Sequence, residues 1–107
     1  MLNIDGNFQK EDAVLKLEGR LDTVTAPDLE AALRTAVPGL KSLIFDFEKL
    51  DYISSAGLRV LLSAQKTMNV QGEMKVINVN QAIMDIFEIT GFLDILTVEP
   101  AEAEAAE

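Results

Sequence analysis

The 107-residue chain contains no cysteine, no histidine and no tryptophan. Without cysteine it forms no disulfide and offers no thiolate nucleophile, and without histidine it also lacks the usual zinc ligand sets. Basic residues are scarce as well, 9 against 18 acidic ones, for a formal net charge of −9. Such a surface is repelled by nucleic-acid phosphates and by anionic membranes, so neither is an expected partner. No apolar run approaches the ~20 residues that a membrane span requires. The first residues, MLNIDGNFQKED, show neither a basic n-region nor a continuous apolar h-region, so no signal peptide is expected. These absences fit a soluble cytoplasmic protein without metal or cofactor.

What remains is an ordinary globular balance, 49% hydrophobic and 25% charged, in a chain long enough for one core and too short for two. Residues 1–100 read as a single domain. The remainder, 101–107 (AEAEAAE), reads as an acidic tail or a partial C-terminal helix too short to stand alone.

Leu2, Ile4 and Phe8 alternate with polar residues as in a half-buried strand, and Ala13 to Leu17 form a second one, ending at Glu18-Gly19. Thr25 is the expected N-cap of a first helix, with Pro27 in its first turn and Asp28 completing an approximate capping box. Leu29, Ala32, Leu33 and Ala36 supply its apolar stripe, and Pro38-Gly39 stops it. Leu43 to Phe47, apolar at nearly every position, predicts a central strand covered on both faces. Glu48 to Tyr52 reads as a polar connection. A second helix then runs from Ser55 to about Met68, followed by a strand over Met74 to Ile77. Asn80 caps a third helix, Gly91 suits a left-handed C-cap, and Ile95 to Val98 close the pattern as a short strand. The order β β α β α β α β implies an α/β fold with a mixed, mostly parallel sheet and flanking helices.

Chemistry concentrates where the second helix begins. Serine is a preferred N-cap, and a hydroxyl at Ser55 would sit among unpaired N–H groups at the positive end of the helix dipole. A phosphate is tolerated there with little strain. Alone, the pattern would describe a plain cap. Here the serine is doubled (Ser54, Ser55), follows a central strand, and has small neighbours in Ala56 and Gly57. In open α/β sheets, ligands and partners meet the carboxyl ends of the strands. No histidine base accompanies Ser55, and Ile53 occupies the first glycine position of a G-x-S-x-G elbow, so an enzyme is not expected. Asp46 and Asp51 have no second carboxylate at telling spacing and serve as strand-end and turn residues.

The segment DYISSAGLRVLL resembles the serine loop and helix of the STAS family, whose soluble bacterial members are anti-sigma factor antagonists. That resemblance covers the chain up to Pro100 and implies that Ser55 is the phosphoacceptor. Ser54 stands where many members carry aspartate. It further implies that the unphosphorylated protein binds an anti-sigma factor with serine kinase activity, freeing the sigma factor, and that phosphorylation ends the interaction. In the family the turn holding Asp22 and Thr23 lies beside the phosphoacceptor. Those two residues, with Ser54, Ala56, Gly57 and Arg59, are the candidate partner contacts. Gly57 is read as room for a partner's backbone or a nucleotide phosphate to approach. A monomer is favoured. The alternative function is a STAS-like adaptor subunit of a transporter complex or stress-signalling scaffold, without a phosphate cycle.

Overall fold

The first two strands, β1 (Leu2–Gln9) and β2 (Asp12–Leu21), form an antiparallel hairpin in which Gln9 faces Asp12. Lys10 takes a left-handed φ of 55° in the two-residue turn. A computed structural model describes residues 1–101; the expected tail or partial helix beyond Ala101 lies outside them. After the hairpin come α1 (Ala26–Ala36), β3 (Ser42–Ile53), α2 (Ser55–Gln71), β4 (Glu73–Val79) and α3 (Gln81–Thr90). A single 3₁₀ turn, Phe92–Asp94, leads to β5 (Val98–Pro100). The strands lie in the order β1-β2-β3-β4-β5 in one sheet, with β1 antiparallel and all later pairs parallel. This is the mixed, mostly parallel α/β sheet that the element order predicts.

Local chemistry explains the helix ends. Pro27 stands in the first turn of α1, where its missing N–H is no loss. The Asn80 side chain accepts from Ile83 N at 2.9 Å and caps α3, which ends on Gly91 with φ 81°.

Three sequence expectations change. β3 does not stop at Phe47 but runs to Ile53, so Glu48 to Tyr52 are strand and not connection. β5 falls on Val98–Pro100 rather than on Ile95 to Val98. Among the described residues the helices also cover only one face of the sheet. Leu43, Phe45 and Phe47 are fully buried, whereas Ile44 and Asp46, pointing the other way, are partly exposed. Phe47 meets Phe87 of α3 at 6.5 Å between ring centroids, and buried residues of α1 and α2 join the same core. Each large side chain fully buried there contributes roughly 1.5–3 kcal/mol of transfer free energy. On the open face Asp5, Lys16 and Asp46 stand side by side in register, a row of opposite charges that keeps it solvated.

Candidate functional site

Parallel pairing brings β2 and β3 to the same edge, where Leu21 faces Ile53. Ser54 N donates to Leu21 O at 2.9 Å, so the serine pair starts beside Asp22. All three α-helices begin on this edge, after the ends of β2, β3 and β4.

The loop from Asp22 to Thr25 is held from within. Asp22 Oδ1 accepts from Val24 N (3.0 Å) and Thr25 N (3.1 Å). Asp22 N in turn donates to Thr25 Oγ1 at 2.9 Å. The Thr25 hydroxyl donates to Arg20 O at 2.8 Å, with Asp22 Oδ1 as a longer alternative at 3.2 Å. Thr25 therefore caps α1 by position but not through its side chain, which is buried and turned back to the strand end. The backbone N–H of Thr25 above all holds the Asp22 carboxyl below the usual carboxylate range. Its partial burial opposes that shift, and the Thr25 hydroxyl, the Val24 N–H and the Arg20 charge reinforce it. Arg20 Nε lies 3.6 Å from Asp22 Oδ2, and its guanidinium carbon sits 4.3 Å from the centroid of Tyr52, its cross-strand partner.

The two serines have different situations. Ser54, with extended backbone (φ −103°, ψ 177°), is the N-cap of α2, and Ser55 is the first helical residue. This corrects the expectation that Ser55 is the cap. Ser54 Oγ makes no capping bond, is closed to solvent and has no hydrogen-bond partner among the described residues. Ser55 is exposed.

Gly57 is also reassigned. It is buried, and a Cβ built on it would lie 2.7 Å from Leu21 Cγ and 2.9 Å from Ile53 Cγ1. Its missing side chain lets α2 sit down on the ends of β2 and β3. It is not open ground for a partner's backbone or a phosphate. Ala56 is half-buried beside it, while Thr23 and Arg59 are exposed. Together with Ala26, Pro27, Glu30 and Val60, these last three line a shallow cleft between the starts of α1 and α2.

The edge also carries residues that sequence reasoning passed over: Val24, 82% exposed, and the Arg20–Tyr52 pair. Tyr52 was hidden because its stretch reads as a connection. An apolar residue left in water at Val24 has no signature in periodicity. No three acidic side chains among the described residues are grouped to hold a metal, and no described helix is long and apolar enough to cross a membrane.

The profile of the STAS domain matches residues 3–105. A Bordetella bronchiseptica protein named as an anti-sigma factor antagonist, BtrV, is 41% identical over 92 residues, spanning 84% of this chain and 79% of its own. The anti-sigma-B factor antagonist of Staphylococcus aureus is 32% identical over 106 residues, 96% of this chain and 98% of its own. Among solved structures, an anti-sigma factor antagonist from Mycobacterium paratuberculosis superposes with a TM-score of 0.86 at 21% identity, covering 99% of this chain and 92% of that one.

Proposed function

The chain belongs to the STAS domain family, and from that premise we propose that it is an anti-sigma factor antagonist whose binding is switched off by phosphorylation of Ser55. The relatives bearing that functional name support the first half of the reading. The second half is carried by one observation: of the two adjacent serines, Ser55 is exposed and the Ser54 oxygen is sealed.

In its unphosphorylated state the protein docks on an anti-sigma factor through the edge formed by Thr23, Val24, Ser55 and Arg59, and the sigma factor is released. A kinase domain in that partner transfers the γ-phosphoryl group of ATP to Ser55 Oγ. The O–H proton passes to a base on the kinase, and ADP leaves. This chain is the substrate and supplies no catalytic group: Ser55 has no histidine to activate it. Asp22 holds its loop against the strand ends and acts on the docking edge chiefly through that shape.

The test is phosphorylation in vitro. The full chain is incubated with the cognate anti-sigma kinase and ATP, and the product is mapped by mass spectrometry. Phosphate is expected on Ser55 alone, and a Ser55→Ala protein should remain unmodified. A Ser55→Asp protein should bind the kinase weakly with an unchanged circular dichroism spectrum. Normal phosphorylation of Ser55→Ala would overturn the site.

A further inference from the structure

We propose that Arg59 is the intramolecular clamp for a phosphate on Ser55, so that modification withdraws a cation from the docking edge while adding an anion to it. The inference rests on the reading of Ser55 above and specifies what the modification does there.

Ser55 opens α2 and Arg59 follows four residues later, and both are exposed. Positions four apart share a helix face, and an anion placed N-terminal to a cation is the favourable order; an anion at Ser55 also lies at the positive end of the helix dipole. Of the chain's three arginines, two are engaged: Arg20 with Asp22 at 3.6 Å and Arg34 with Glu30 at 3.7 Å. Arg59 has no ion pair among the described residues. Glu30, the carboxylate lining the same cleft, is directed to Arg34 instead.

Other charged and titratable groups around this edge include Arg20 on β2, Asp22 in the following loop, Asp28 in the first turn of α1, and Asp51 and Tyr52 on β3. Arg20 is shared between Asp22 and the Tyr52 ring. Among the described residues that leaves Arg59 as the arginine without an ion pair, four helical positions from Ser55. A guanidinium presents a planar fork of donors that matches phosphate oxygens and holds them in two parallel bonds. Before modification Arg59, exposed and lining the cleft, is free to meet a carboxylate of the partner. A phosphate on Ser55 removes that possibility by occupying it.

The experiment installs phosphoserine at position 55 of the full chain during synthesis and follows the phosphate's second ionisation by ³¹P NMR. Wild type is compared with Arg59→Gln, Arg59→Lys and Lys66→Gln. The last removes an equal charge from the same helix, roughly 16 Å along the axis from Ser55 at 1.5 Å per residue. Arg59→Gln should raise the phosphate pKa by about half a unit, with Arg59→Lys in between and Lys66→Gln close to wild type. A wild-type titration in Arg59→Gln, or an equal shift in Lys66→Gln, would overturn the clamp. Because the phosphate is introduced without a kinase, the two proposals fail separately. A shift in Arg59→Gln stands even if no kinase modifies Ser55, and a kinase-modified Ser55 does not rescue the clamp if the shift is missing.

Discussion

Replacing Gly57 by alanine adds one methyl group at the first turn of α2, where two effects of opposite sign meet. Alanine favours a helix interior over glycine by about 1 kcal/mol. Against this, the new carbon would lie 2.7 Å from Leu21 Cγ, 2.9 Å from Ile53 Cγ1 and 3.0 Å from Leu21 Cδ2. Carbon atoms prefer separations of about 3.5–4.0 Å, so the neighbours must retreat by nearly an ångström. Leu21 is 0% and Ile53 2% exposed, and Leu21 Cγ is a branch point that moves only with its whole side chain. Overpacking of this kind costs about 1–3 kcal/mol, which exceeds the helix gain. The net expectation is a loss on the order of 1–2 kcal/mol, read in urea unfolding as a midpoint lower by about 1 M at unchanged slope. If Gly57 served instead to admit a partner or a phosphate, the substitution would raise the midpoint through helix propensity and impair only binding. A raised midpoint therefore refutes the packing argument.

Ser54→Ala should break the usual rule for N-caps. Loss of a capping hydroxyl costs about 1 kcal/mol. Here no capping bond is lost, and a buried unpaired oxygen is removed, so thermal unfolding should show equal or higher stability; a loss of 1 kcal/mol or more would refute this. For Asp22 the linkage has a definite sign. Its folded pKa is lowered, so its contribution is present above the unfolded value of about 3.9 and disappears as pH falls through the folded value. The stability gap between wild type and Asp22→Ala should thus be widest near neutrality and narrow in acid. A gap independent of pH would show that the loop bonds do not depend on the ionised carboxylate.

The element order was legible because local signals agreed with it. Asn80 and Gly91 mark the two ends of α3, and each occupies the cap conformation its chemistry favours. The level endings of β2 and β3 also followed from parallel pairing, which is why Asp22 and the serine pair share an edge. β3 was cut short for a physical reason. While β2 advances from Lys16 to Glu18, β3 advances from Asp46 to Lys49, and opposite Gly19 and Arg20 it moves from Leu50 to Tyr52. Each irregularity places an extra residue in β3. The two-residue alternation breaks, and Leu50 and Ile53 become the buried positions of a stretch that otherwise looks polar. The one-sided sheet was equally hidden, since Ile44 belongs to an apolar run yet faces the open side. Within the site, a one-residue difference separated the sealed serine from the exposed one, and helix boundaries inferred from sequence do not resolve a single residue.

The same close packing bears on how the proposed modification acts. The Ser54 N–H is tied to Leu21 O, the Asp22 loop is tied to Thr25, and Gly57 seats the helix on two buried strand ends. A phosphate on the exposed Ser55 meets none of these contacts, so it has no lever by which to move the fold. Its effect must come from charge and shape at the surface. Phosphoserine adds about −1.5 to −2 charges, which a docking partner would have to desolvate next to a chain already at −9. A binding loss of only ~3 kcal/mol changes affinity more than a hundredfold, enough to separate bound from free without refolding. A rigid site of this design favours reversibility, because removal of the phosphate restores the docking edge directly.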